Sequence, residues 1–343
     1  MSKRLWFQLH RWCGLGLALF LLLQALSGAA LIWHRPMAQL VDPDGMVRHA
    51  RGADLTLGEI LIAAQSALPG HDVRRIVYPR SADETYFLYL ADRSGGERYA
   101  SVDPGSGAVL RQGGAWAFPL HALMLLHYTL MAGDAGLAIL AGFGLVALTL
   151  VVSGLAYWWP GGGWRRSLRI DTRLSGRLVL RQAHRTVGVV VAVVLATSFA
   201  TGVLRTGQLL WLSAPLPPPP VPLRPADFDV ALSLARAEFP SLAVRDVRLG
   251  GQGVVSVNFL TSETNSLAVH AVRIDAATGA RIALVRAEEG RNPGALLVPV
   301  HTAERFGGIG RIVLLLAAIG LVMLCLSGPV MWLQAGRRRK PSA

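Results

Sequence analysis

The sequence predicts a membrane protein, mainly α, with four transmembrane helices in two parallel repeats and two small α+β modules outside the bilayer. Three observations predict it: four long apolar runs, a lopsided placement of charge, and an internal self-similarity. Of 343 residues 52% are hydrophobic and only 16% are charged, whereas about a quarter are charged in an ordinary soluble domain. A cytosolic globular enzyme does not fit that composition.

Four runs reach the length of about 20 residues that a helix needs to cross the hydrocarbon core. They are Trp12–Trp33, Ala135–Trp159, Val187–Leu212 and Ile309–Leu333. The first has Lys3, Arg4 and Arg11 ahead of it and small residues Ser27, Gly28, Ala29 and Ala30 near its end, which resembles a secretory signal. It exceeds the apolar length of such signals and has a twin inside the chain, so it is read as a retained helix. The expected organisation is then 1–34 (N-tail and first span), 35–134 (first outside module), 135–159 (second span) and 160–186 (basic loop). There follow 187–212 (third span), 213–308 (proline-rich linker and second module), 309–333 (fourth span) and 334–343 (basic tail).

The formal net charge is +13. Basic character of this size often signals nucleic acid, yet there is no lysine-rich tail and no interleaving of aromatic with basic residues, so nucleic acid is not an expected partner. The charge is instead localised. Lys3, Arg4 and Arg11, the loop residues Arg165, Arg166, Arg169, Arg173, Arg177, Arg181 and Arg185, and the tail residues Arg337, Arg338, Arg339 and Lys340 face a single acid, Asp171. The remaining segments balance. The positive-inside rule therefore places both tails and the short loop in the cytoplasm, with the two long segments across the bilayer. Those segments contain no cysteine, so no disulfide staples them; Cys13 and Cys325 lie in the first and fourth spans. No CxxCH is present, which excludes covalent c-type haem.

The repeat is the most informative feature. Leu9–Gly14 resembles Ala183–Gly188 at an offset of 174 residues. At the same offset Ser27-Gly28 meets Thr201-Gly202, His127 meets His301, Gly133 meets Gly307, Gly136 meets Gly310, Ser153-Gly154 meets Ser327-Gly328 and Trp158 meets Trp332. Each repeat is span, outside module, span, so the two share one orientation and are expected to pack about a pseudo-twofold axis along the membrane normal. In the first module Thr56–Leu68 reads as a helix, followed by alternating runs at Asp72–Tyr78, Thr85–Ala91 and Arg98–Val102, a turn at Asp103-Pro104-Gly105 and a short last strand. The second repeats this with a helix near Phe228–Phe239 and runs at Val244–Leu249, Val254–Thr261 and Ala268–Ile274. Modules of about 60 residues have marginal cores. Pro215, Pro217 to Pro220, Pro222 and Pro225 read as a stiff spacer.

The repeat also sorts the histidines. His10 pairs with His184 at the cytoplasmic face, and His127 with His301 at the outer face. About the pseudo-twofold axis each pair converges on one axial point, an arrangement that suits the two axial ligands of an iron porphyrin. Gly14 and Gly28 follow His10 at the spacings at which Gly188 and Gly202 follow His184, on or near the histidine face of the helix. Such glycines either admit a flat macrocycle or simply let helices pack closely, and the histidines either ligate or cap and snorkel. His34 and His121 lack repeat partners but lie near the outer face as substitute ligands, while His49, His71 and His270 read as ordinary module residues. Arg205 and Arg311 either meet haem propionates or snorkel. Trp158, Trp159 and Trp332 read as interfacial belt residues. Two histidines per site without cysteine or paired carboxylates are poor material for tetrahedral zinc. No HExxH, Gly-x-Ser-x-Gly, Walker loop or dinucleotide fingerprint is present.

With these residues in view, nearly the whole chain resembles the PepSY-associated transmembrane family. The resemblance rests on Leu9-His10-Arg11-Trp12-Cys13-Gly14-Leu15, on Ser27-Gly28, on the His-Arg start of the third span, on His301 with Gly307, Gly310 and Arg311, and on modules ending in Asp103–Gly107 and Asp275–Gly279, as PepSY modules do. It implies an iron-regulated inner-membrane protein of Gram-negative bacteria, similar in some members to haem-containing reductases that free iron from ferric siderophores in the periplasm. It further implies haem b, one or two, bis-histidine, on His10, His184, His127 and His301. Some relatives add a cytoplasmic flavodoxin-reductase domain; here the loop of 27 residues (160–186) is too short for one, and a separate donor is expected, quinol or a cytoplasmic reductase. The expected activity is transfer of electrons across the bilayer to ferric siderophore, over roughly 30–35 Å between opposite faces. The alternatives are a haemless anchor that presents its modules to regulate a periplasmic peptidase or to assist siderophore uptake, and a transporter, for which the spans lack a centred carboxylate.

Overall fold

The apolar runs and the alternating runs fold into separate kinds of structure. A computed structural model describes residues 2–92, 94–159, 163–211, 224–250, 253–261, 269–287 and 293–336. In chain order it contains α1 (Lys3–Leu31), α2 (His34–Val41), α3 (Pro43–Met46), α4 (Leu57–Ala67), β1 (His71–Val77), β2 (Tyr86–Asp92), β3 (Glu97–Val102) and β4 (Val109–Gly113). These are followed by α5 (Pro119–Thr129), α6 (Gly133–Trp158), α7 (Trp164–Ser167), α8 (Gly176–Trp211), α9 (Pro225–Glu238), β5 (Val244–Leu249), β6 (Val254–Phe259), β7 (His270–Asp275), β8 (Arg281–Val285), α10 (Leu297–His301) and α11 (Gly307–Gly336). The chain divides into two units: Met1–Ile32, Leu126–Leu212 and Leu296–Ala343 form one, Trp33–Leu125 and Ser213–Ala295 the other. Prolines 215 to 222 of the expected spacer, and Arg337 to Lys340 of the basic tail, lie outside the described residues.

The first unit is a membrane bundle. Its helices α1, α6, α8 and α11 are long and apolar enough to cross a bilayer. Each packs on two neighbours, α1 on α6 and α11, and α8 on α6 and α11, so α1 and α8 stand on one diagonal. Leu17, Leu21, Ala25, Ala147, Leu195, Ala317, Leu321 and Cys325 form the buried core between them. The helices outrun the apolar segments: α1 begins nine residues before Trp12, and α8 eleven residues before Val187. Backbone hydrogen bonding continues through polar sequence, whereas hydropathy registers only the part suited to lipid. His10 and His184 therefore sit inside continuous helices rather than at their starts.

The second unit is a sheet with helices. All eight strands form one antiparallel sheet in the order β4-β3-β2-β1-β5-β6-β7-β8. The order reads alike outward from the β1–β5 seam, where Arg75 pairs Arg248, Ile76 pairs Val247 and Val77 pairs Asp246. The expectation of two separate small modules is thereby changed: they share one sheet and one core. Ile76, Leu88, Val247, Val257 and Phe259 in that core are each 0% exposed, and α4 and α9 pack together over the same cluster. Two halves too small for an ample core gain one by pooling their apolar faces. The Thr56 hydroxyl and the Glu59 carboxylate close a capping box that starts α4. At the seam the buried Asp246 carboxylate receives Arg75, Arg245 and Arg248, and the Asn258 amide donates to it.

Candidate cofactor site: two histidine pairs in the membrane bundle

The bundle brings together the histidines paired by the repeat. The ring centroids of His10 on α1 and His184 on α8 are 6.4 Å apart, with planes at 83°. Those of His127, on the last turn of α5, and His301, ending α10, are 6.3 Å apart at 49°. All four rings are half-buried. On α1, His10 and the Ser27 that meets His127 are 17 residues apart, so the two pairs are separated by about 26 Å along the helix, closer than expected from faces of the bilayer. Between them Phe20 packs edge-on against Phe143, centroids 4.6 Å apart.

Each ring is held by the same device. Ser153 Oγ lies 3.4 Å from His10 Nδ1 and the Leu150 carbonyl 3.0 Å from it. Ser327 Oγ is 2.6 Å from His184 Nδ1, Ser27 Oγ 2.9 Å from His127 Nδ1, and Thr201 Oγ1 3.1 Å from His301 Nδ1, with the Ser198 carbonyl also 3.0 Å from the last. In both halves the inner contact spans 143 residues and the outer one 100. A glycine follows each hydroxyl residue and makes room for the ring. A Cβ on Gly154 would stand 2.9 Å from His10 Cε1, on Gly28 3.0 Å from His127 Cε1, on Gly202 3.5 Å from His301 Cε1 and on Gly328 3.8 Å from His184 Cε1. Sequence reasoning placed Gly28 and Gly202 on the histidine face; Gly154 and Gly328 escaped it, although Ser/Thr-Gly at 27, 153, 201 and 327 is one recurring dipeptide. Gly14 and Gly188 instead face Leu150 and Leu324, each 3.6 Å from a Cβ there.

Tight reversals carry His127 and His301 into the bundle. Leu130, Met131 and Gly133 after His127, and Ala303 and Gly307 after His301, have positive φ, a conformation that costs non-glycine residues energy and collects at functional sites. The repeated Gly136 and Gly310 admit the returning chain, since a Cβ at either would strike the Thr129 or the Ala303 carbonyl oxygen.

The remaining expected site residues lie elsewhere or are otherwise engaged. Arg205 donates to Gln208 on its own helix, and Arg311 stands 3.6 Å from Glu304. His121 belongs to the sheet unit, where its ring lies 4.2 Å from that of Tyr99 among Phe87, Tyr89 and Phe118, and burial pushes its pKa down to about 4. His34 opens α2. His270 stacks on Phe239, and the His49 backbone N–H donates to Asp103. Trp158 donates its indole N–H to Ser167. One further pair was not anticipated: the Nε atoms of Arg11 and Arg185, each next to an inner histidine, are buried with no hydrogen-bond partner among the described residues.

These residues fit a metal held by two trans imidazoles. A metal–nitrogen bond of about 2.0 Å, with about 1.1 Å more to each ring centre, sets the two centroids about 6.2 Å apart. Both pairs lie within about 0.2 Å of that spacing. Ligating histidines characteristically hydrogen-bond through the other ring nitrogen, and here Nδ1 is the bonded one in all four. Among the described residues no group of three or more His, Cys, Asp or Glu gathers to hold a metal.

Fold and site together define a membrane protein with a four-helix bundle that carries two histidine pairs. The sequence model of the PepSY-associated TM region matches residues 7–335, and the chain belongs to that family. No curated protein gives a significant match.

Proposed function

We propose that the chain is a bacterial inner-membrane reductase that binds two haem b groups, accepts electrons on the cytoplasmic side from quinol or a separate reductase, and reduces ferric siderophore in the periplasm. The observation that carries this reading is the spacing of the two histidine pairs, 6.4 and 6.3 Å between centroids, with every Nδ1 engaged. Bound haem would supply one-electron redox chemistry at each pair. His10 and His184 would hold the inner group and His127 and His301 the outer one. The Nε atoms of Arg11 and Arg185, without a hydrogen-bond partner among the described residues, are suited to carboxylates of the inner group. Among the described residues the buried apolar core of the bundle, with Leu17, Leu21, Ala147 and Leu321, offers no carboxylate or imidazole to carry protons. Reduction suffices to free the iron because the hard oxygen ligands of siderophores hold ferric far better than ferrous ion.

Protein purified from haem-replete cells should show a Soret band and the reduced α-band of low-spin bis-histidine haem. His10→Ala and His301→Ala should each remove about half of the bound haem. A folded but colourless preparation would overturn the proposal and leave the haemless anchor for a peptidase as the better account.

A further inference from the structure

We propose that Ser27, Ser153, Thr201 and Ser327 are positioning residues that fix one tautomer of the four histidines, with the proton on Nδ1 and the lone pair on Nε2. A hydroxyl has one proton to donate, and a backbone carbonyl only accepts. Ser27 spends its proton on the Leu23 carbonyl at 2.8 Å, Ser153 on Leu150 at 3.1 Å, Thr201 on Thr197 at 2.7 Å and Ser327 on Leu324 at 3.3 Å. With its proton so placed, each hydroxyl meets its histidine as an acceptor and Nδ1 as the donor; at His10 and His301 the Leu150 and Ser198 carbonyls, which can only accept, require the same. The hydrogen bond at one ring nitrogen decides what the other can do, so Nε2 is left free to ligate. Among the described residues no hydrogen-bond partner is seen for Nε2 of any of the four.

The four locks are unequal. At His10 and His301 a backbone carbonyl, Leu150 or Ser198, also accepts from Nδ1 at 3.0 Å, so these rings keep their tautomer without the hydroxyl. At His127 and His184 the hydroxyl acts alone. Each pair thus joins one doubly held ring to one held only by a serine. The tautomer stands independently of the haem reading; its effect on a bound metal rests on that reading, since a hydrogen bond from Nδ1–H makes the ligand more basic.

The test begins with the full-length protein from haem-starved cells, carrying isotope-labelled histidine, in which nitrogen NMR separates protonated from lone-pair ring nitrogens. All four bundle histidines should have the proton on Nδ1. Ser27→Ala and Ser327→Ala should each release one histidine from that state, and Ser→Thr at either position should restore it. Ser153→Ala and Thr201→Val should release none, while unchanged signals from the other three bundle histidines in each variant report an intact bundle. Protons on Nε2 in the unsubstituted protein, or equal responses to Ser327→Ala and Ser153→Ala, would overturn the proposal. In haem-loaded protein, Ser327→Ala should raise the reduction potential of the inner group more than Ser153→Ala does. A colourless protein with the expected tautomers keeps the lock and loses the reductase; a coloured one with mixed tautomers does the reverse.

Discussion

The glycine against each histidine ring approaches to a different degree, and the difference is testable one residue at a time. A methyl at Gly154 or Gly28 would press on a ring carbon at 2.9 or 3.0 Å, inside ordinary contact, whereas at Gly202 and Gly328 the contacts would be 3.5 and 3.8 Å. On the haem reading, Gly154→Ala and Gly28→Ala should each cost most of one group, and Gly202→Ala and Gly328→Ala should keep nearly all of it. Quantitation of extracted haem checks this, and equal loss in all four variants would mean that the rings are not held where the glycines place them. The histidines themselves were legible from arithmetic, as a shared offset singled out four of nine. Their partners were not, because a residue 100 or 143 positions away along the chain leaves no local trace. Only the recurrence of Ser/Thr-Gly hinted at them.

At the scale of elements, the seam between β1 and β5 makes the two halves of the sheet mutually dependent. Ile76 and Val247 pair across it and are each fully buried, in the same cluster as Val257. Truncating Ile76 to alanine should cost roughly 2–5 kcal/mol, and the loss should appear as faster amide exchange in β6 and β7 as well as in β2 and β3. Loss confined to β2 and β3 would show that the halves unfold separately. Within each half, the alternating runs located six of the eight strands to within about two residues, because a half-buried strand has period two, and β4 was expected only as a short last strand without bounds. The run reads only as far as one half, however; a seam of three residue pairs is set by which edges meet. The helices α2, α5 and α10 were also missed: α5 and the histidine at its end were assigned to the outside module, since a short helix between two reversals lacks the length that periodicity needs.

The two units of the whole molecule should respond differently to acid. In the sheet unit, burial works to raise the Asp246 carboxyl, but the charges of Arg75 and Arg248 outweigh it and hold its pKa below the usual range. Asp103 is likewise buried and likewise held down, by the backbone N–H groups of Ala50, His49, Gly105 and Ser106. A carboxyl depressed in the folded state adds stability above its unfolded pKa of about 3.9, and that contribution is lost as pH falls through the folded value. The membrane bundle contains only three carboxylates among its described residues, Asp134, Asp171 and Glu304. Between about pH 4 and pH 2 the sheet should lose amide-exchange protection while the bundle stays helical; simultaneous unfolding would refute this. By itself the sequence determined the four spans, the placement of charge and the four histidines, since hydropathy, charge counts and a fixed offset are properties of the chain read in order. The tertiary structure alone decided that the modules share one sheet, that a hydroxyl and a glycine seat each ring, and that Nδ1 rather than Nε2 is engaged. Those depend on contacts between residues far apart in the chain, which packing fixes and composition does not.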